Sequence, residues 1–376
     1  MAGLRIRGKA SGRSPPGVIA KGMRWPDFSR SPMDTLLTLG VGAAGATLAW
    51  ALSAPIYMLL GPAIAVSLAG LSGLRTGVDA RLRDVCFVII GVAVGAGFDG
   101  DALGAMLRWP LAFIFMAVVL WLVMVVSRFL LTRYFDFDRR SALLAAAPGH
   151  LSFVIAVAAS GGLDVARVSI VQSVRLLALT LVVPFTALAM GVDVTGAVAP
   201  QGRAMTLVEL AAIAVLAIAV GLVFARLRVP APLLLGAMVV SALGHLTDLA
   251  TGVLPPWLIL PAYLVLGSLI GTRFSGVTPV LLRRGLGAGV TITVVAVGFA
   301  ALGSVPVAWA LQMPLPHVLV AFAPGGLETM IAMGVVLGVS PGFVPACHIA
   351  RLLVLSALLP AMLGRDPQSV DARANP

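Results

Sequence analysis

Two arginines stand where an unpaired charge is costly. Arg175 and Arg351 each lie inside a long apolar stretch, nine residues ahead of a proline, Pro184 and Pro360. Arginine stays protonated in practice. A charged side chain at membrane depth either serves a ligand or ties helix ends together. Gln172 and His348 precede the two arginines by three residues and share their helical face. Upstream of each pair the apolar pattern is interrupted in the same way. One interruption reads Ala147-Pro148-Gly149-His150-Leu151-Ser152, the other Ala323-Pro324-Gly325-Gly326-Leu327-Glu328-Thr329. Proline removes an N–H and clashes with the preceding turn, and glycine loosens the chain further. A half-helix restarting after such a break points free N–H groups and the positive end of its dipole into the protein, an arrangement suited to an anion. Unpaired backbone at membrane depth is tolerated where it lines protein or water.

The candidate binding set is therefore Pro148, Gly149, His150, Ser152, Gln172 and Arg175 from the first interruption. Pro324, Gly325, Gly326, Glu328, Thr329, His348 and Arg351 come from the second. Two arginines against the one carboxylate of Glu328 leave a positive surplus. That favours a small anionic or carboxylate-bearing substrate, with room for a coupling proton or cation. Glu328 as a permanent partner of an arginine is the competing reading. His348 has the side-chain type to carry a proton, although a buried hydrogen-bonded histidine is commoner. His150, His245, His317 and His348 show no metal-ligand spacing. No phosphate loop, dinucleotide fingerprint or nucleophile elbow occurs, so no metal, no cofactor and no enzymatic activity are expected. Asp164 and Ser340 read as N-caps, and Asp34 and Glu209 as first-turn acids.

These residues must be positioned by membrane helices. Of 376 residues, 60% are apolar and 11% charged, against about 45–50% and about 25% in soluble domains. Apolar segments fall at 36–53, 56–72, 85–98, 109–131, 141–160 and 166–190, then at 206–224, 232–244, 257–271, 286–303, 317–337 and 343–363. The predicted class is an all-α polytopic membrane protein of about 10–12 transmembrane or re-entrant helices. Its regions are a basic, disordered tail (1–34), a first membrane repeat (35–190), a linker (191–205), a second repeat (206–363) and a C-terminal tail (364–376). Sliding the chain by 176 residues matches 12 of the 37 positions in 148–184, including Pro148-Gly149 with Pro324-Gly325 and Arg175-Leu176-Leu177 with Arg351-Leu352-Leu353. The same shift puts Gly91 and Gly95 on Gly267 and Gly271, a spacing that allows close helix packing.

Loop charges point to inversion. Cations follow the second and fourth segments of the first half (Arg75, Arg81, Arg83; Arg128, Arg133, Arg139, Arg140). In the second half they follow the first and third (Arg226, Arg228; Arg273, Arg283, Arg284). Under the positive-inside rule the halves then face opposite ways, with an odd number of crossings each. One apolar segment per half must be re-entrant, broken or non-spanning. Inverted repeats with discontinuous helices are the plan of secondary transporters. Both termini are expected on the cytoplasmic side. The first apolar run begins too far along for a cleaved signal peptide, and Met33 is an alternative start. The net charge of +11 reads as loop and tail charge. No DNA-reading pattern is present and no direct nucleic-acid binding is expected.

The twice-occurring block, Pro-Gly-x-Leu followed by a Gly turn and then Arg-Leu-Leu ending in Pro, resembles the AbrB family of integral membrane proteins. The resemblance covers about residues 35–363. Family members are internally duplicated and are often labelled transcriptional regulators or ammonia monooxygenases. In plan they are similar to elevator-type carriers. The resemblance implies a bacterial inner (cytoplasmic) membrane protein, in contact with the lipid bilayer and with room for a homo-oligomer. It adds a second functional reading, a membrane-embedded regulator acting indirectly on gene expression, and an oxygenase reading for which no clustered ligands are visible. One departure concerns the site: His150 and Ser152 stand where the second half has Gly326 and Glu328, so the two halves are not equivalent there.

Overall fold

The computed structural model describes residues 32–98, 106–148, 151–191, 202–340 and 342–363. Among them the chain is helical, with one isolated parallel bridge between Ala204 and Val253. The first half contains α1 (Pro32–Ala51), α2 (Tyr57–Leu71), α3 (Ala80–Gly95), α4 (Trp109–Tyr134), α5 (Arg139–Ala146), α6 (Leu151–Ser160) and α7 (Val165–Ala189). The second contains α8 (Leu207–Arg226), α9 (Pro232–Leu246), α10 (Pro256–Gly271), α11 (Pro279–Leu311), α12 (Leu315–Phe322), α13 (Leu327–Val336) and α14 (Phe343–Leu363), with a 3-10 turn, Thr272–Phe274, closing α10. Six of these, α4, α7, α8, α10 with its turn, α11 and α14, are long and apolar enough to cross a membrane. The all-α membrane class read from the sequence is therefore the class observed.

Local chemistry explains where the helices start. Asp79 caps α3 by accepting from Arg81 N, and Asp164 caps α7 by accepting from Arg167 N at 3.0 Å. Thr206 and Glu209 form a reciprocal capping box at the start of α8, which satisfies two free N–H groups at once. Asp34 lies in the first turn of α1, as expected. Ser340 accepts at its backbone carbonyl from Phe343 N–H at 3.2 Å, and α14 starts at Phe343.

The element bounds repeat along the chain. Adding 176 to the bounds of α3, α5 and α6 lands on those of α10, α12 and α13. Packing repeats with them. α3 lies against α9 and α10 against α2, while α1 lies on α2 and α8 on α9. A Cβ at Gly91 would run into the Leu234 carbonyl, and one at Gly267 into the Leu59 carbonyl. One residue-turn further on, Gly95 faces Ser241 and Gly271 faces Val66. The paired glycines are thus where two helix backbones meet. Even a strained feature recurs. Ile56 and Ala231, which precede α2 and α9, both adopt left-handed backbone (φ 46° and 44°), unusual for a residue with a side chain and rare for a β-branched one.

Helices pack most closely within two groups. One comprises α1, α2, α3, α8, α9 and α10. The other comprises α4 to α7 and α11 to α14, with α7 and α4 both against α11. Between the groups, α13 touches α3 and α10, and α7 touches α2 and α10. A continuous apolar cluster joins them, from Leu59 and Ile90 in the first group to Met330 and Phe343 in the second.

Candidate functional site: two broken helices braced by buried side chains

Each Pro-Gly interruption is a true break. The segment read as 141–160 is two helices, α5 and α6, of 8 and 10 residues. The segment read as 317–337 is likewise α12 and α13, of 8 and 10 residues. Ten helical residues extend about 15 Å, half of a bilayer's hydrocarbon core. Both breaks open at the same residue: Ala147 and Ala323 end their helices and turn to extended backbone with ψ 116° and 123°. Pro148 and Pro324 follow, and both are buried. Gly149, His150 and the Ser152 side chain lie outside the described residues.

A helix end in apolar surroundings needs partners for its carbonyls. The following long helix supplies them in each half, but by different means. In the second half Arg351 on α14 does so directly. Its Nη1 donates to the Ala323 carbonyl at 3.3 Å and its Nη2 to the Gly325 carbonyl at 3.2 Å. In the first half Gln172 on α7 takes that place. Its Nε2 donates to the Leu144 and Ala147 carbonyls, both at 2.8 Å. Arg175 stands one step back, with Nη2 donating to Gln172 Oε1 at 2.6 Å. All three side chains are buried, and Arg175 is only 2% exposed.

His348, the positional counterpart of Gln172, is fully buried and turns inward on its own helix. Its Nδ1 donates to the Val344 carbonyl at 3.1 Å, and Nε2 has no partner among the described residues. Among the same residues Arg175 and Arg351 each keep an Nε without a partner. α7 touches both α12 and α13, so the two breaks are neighbours. Thr329 is buried in the first turn of α13, with its hydroxyl and the Glu328 carboxylate on the Gly326 side.

Glu328 is half-buried and makes no hydrogen bond among the described residues. From the sequence Arg273 reads as a loop cation. It lies in the 3-10 turn after α10, at the end of an apolar span, Pro256–Phe274, at a position aligned with Gly97. A cleft of about 260 Å³ lies at the far end of α13, between it, the end of α3 and the start of α14. Ala93, Gly97, Gly334, Val335, Gly338 and Pro345 are among its mainly small, apolar walls. It does not include the residues of the breaks. Among the described residues no cluster of His, Cys, Asp and Glu has the composition to hold a metal.

Six apolar spans and two helix breaks held by buried polar side chains define an all-helical integral membrane protein. Its family is equally clear. The model of the family described as transition state regulatory protein AbrB matches residues 58–365, and the chain belongs to that family. A protein of Bacillus subtilis (strain 168) named uncharacterized protein YhjN is 28% identical over 307 residues, which covers 76% of this chain and 79% of that protein. The putative regulator AbrB of Escherichia coli (strain K12) is 26% identical over 318 residues, 82% of this chain and 89% of that protein.

Proposed function

We propose that the protein is a secondary transporter of a small anionic, carboxylate-bearing metabolite, working by alternating access, with its site between the two broken helices. The observation that carries this reading is the pair of breaks. Each opens at the same aligned alanine, is too short to span on either side, and is braced by a buried polar side chain from the next long helix. Such discontinuous helices are where secondary transporters place substrate. In this reading the halves are inverted repeats, α5–α6 and α12–α13 are the re-entrant pairs, both termini are cytoplasmic, and the group containing the breaks moves against the group containing α1 to α3. Protonation of Glu328, or a cation beside it, supplies the coupling charge. The membrane is the bacterial inner membrane.

The test is uptake of radiolabelled small carboxylates by purified protein reconstituted in liposomes, with and without a proton or sodium gradient. Gradient-dependent uptake that disappears in Arg175→Gln is the expected result. Folded protein that moves no member of the panel and binds none would overturn the reading. A second reading, a membrane-embedded regulator, is favoured by the printed names of the family and of the Escherichia coli relative. Deleting residues 1–31 separates the two: a regulator working through the basic tail loses its effect on gene expression, whereas a carrier retains uptake.

A further inference from the structure

The two halves anchor matching loops by different chemistry. Shifted by 176 residues, the loop before α10 (248–255) falls on the loop before α3 (72–79). In the first half three hydroxyls hold it. Thr38 Oγ1 accepts from Gly77 N–H at 2.9 Å, while Thr35 Oγ1 accepts from Asp79 N–H and Ser275 Oγ from Thr76 N–H, both at 3.1 Å. In the second half two titratable side chains hold it instead. Glu209 Oε1 accepts from the N–H and the hydroxyl of Thr251, both at 3.4 Å. His245, half-buried in the last turn of α9, bridges its own helix and the loop. Its Nδ1 lies 2.7 Å from the Ser241 carbonyl oxygen and its Nε2 lies 3.1 Å from the Gly252 carbonyl oxygen. The turn that presents the Gly252 carbonyl requires glycine: φ is 100°, and a Cβ there would strike the Arg203 carbonyl.

A carbonyl oxygen only accepts. A neutral imidazole has one N–H and one bare lone pair, whereas an imidazolium has two N–H groups. Neutral His245 satisfies one of its two carbonyls and sets a lone pair against the other, whichever tautomer it adopts. Only the protonated ring makes both bonds. We infer that His245 is a pH-sensitive clamp: protonated, it ties the 248–254 loop to the end of α9, and on losing its proton it releases the Gly252 carbonyl. The next residue, Val253, is a wall of the cleft between α3, α13 and α14, where the two helix groups meet. The clamp therefore sets how firmly that wall is held. The Val253 N–H stays bonded to the Arg203 carbonyl at 2.8 Å, so release loosens the loop without detaching it.

The charged groups around the ring are Glu209 on α8, Asp248 in the loop and Arg203 on the segment bridged to it. The adjoining ends of α3 and α10 add none among the described residues. Carboxylates and guanidinium groups keep their charge through the range in which histidine titrates, about pH 5 to 8, so the ring is the group that changes. In the orientation proposed above this loop faces outside, and the clamp responds to external pH. The clamp itself does not depend on the transporter reading.

Hydrogen exchange of the full chain in nanodiscs, followed by mass spectrometry at about pH 5 and about pH 8 and corrected for intrinsic rates, tests it in wild type and His245→Gln. The expected result has three parts. Protection of the 248–254 peptide in wild type falls several-fold from acid to alkali. Protection of the aligned 72–79 peptide does not change. In His245→Gln the 248–254 peptide shows the weaker protection at both pH values.

Equal protection of 248–254 in wild type at both pH values would overturn the inference. So would a His245→Gln variant that keeps the wild-type loss. A measurement on wild type alone covers the case in which the variant does not fold. With nitrogen-15 histidine and carbon-13 glycine carbonyl labels, the ring beside the Gly252 carbonyl must show two N–H groups in acid, and a ring with one N–H there would overturn the inference as well. Liposome uptake decides the transporter reading separately: a clamp without uptake leaves this inference standing, and uptake without a clamp removes it alone.

Discussion

The glycine-packed group and the broken-helix group obey the repeat differently. In the first, the two halves share close backbone contacts. Gly91 meets a carbonyl of α9 as Gly267 meets one of α2, and Ile56 and Ala231 share the same unusual backbone. In the second, the backbone break is shared but its chemistry is not. Gln172 occupies the bracing place that Arg351 fills in the other half, and Glu328 has no acidic counterpart in α6. The contrast teaches that close backbone contact tolerates little change, because both partners must alter together. A side-chain brace needs only some donor at the carbonyl, so the two halves are free to diverge there.

Matched substitutions in the two halves test this contrast. The largest effects belong to the glycines. Gly91→Leu and Gly267→Leu each force a side chain into backbone, and each should lower stability by about 3 kcal/mol or more, to an equal extent. Size-exclusion profiles and melting curves of detergent-purified protein measure it, and a large difference between the two would break the symmetry argument. Braces come next and should be unequal. Gln172→Leu strands the Leu144 and Ala147 carbonyls and should cost about 2 kcal/mol. His348→Leu loses only a bond within its own helix turn and should cost less than about 1 kcal/mol. Similar losses from both would show that His348 also braces its break.

Caps are smaller still. Thr206→Ala should cost about 1 kcal/mol, read as faster hydrogen exchange confined to the start of α8. The smallest effect concerns pH. Asp138 caps α5 by accepting from Arg140 N and Ser141 N, where α12 begins instead at Pro314. Partial burial works to raise the Asp138 pKa, but its hydrogen bonds to Ser141 and Arg140 outweigh this and hold it below the usual aspartate value. A depressed folded-state pKa means that the stabilisation is present above the unfolded pKa and is lost as pH falls through the folded value. Hydrogen exchange, corrected for its intrinsic pH dependence, should therefore show α5 loosening in acid with α12 unchanged. Equal responses would remove the cap's role.

Much of the fold was legible. The helical membrane class and the offset of 176 residues follow from hydropathy and from twelve matching positions, because apolar length and Pro-Gly breaks are local signals, and the family was met through the resemblance of the twice-occurring Pro-Gly block. The glycine pairs were legible as packing points, although their partners on α9 and α2 were not, since which helix a glycine face meets depends on the tertiary arrangement. At the site, Gln172, Arg175 and Arg351 were found from burial of polar residue types and from repeat position. Their unequal roles were not, because a three-residue spacing on one helix cannot show which side chain reaches a carbonyl twenty-five residues upstream.

The most direct test of the central claim is a cryo-electron microscopy map of the protein in nanodiscs, with the carboxylate that raises its melting temperature most. The account predicts density for that carboxylate between the two breaks, while Arg351 still reaches the carbonyls of Ala323 and Gly325. A map in which the carboxylate lies away from both breaks would contradict the account.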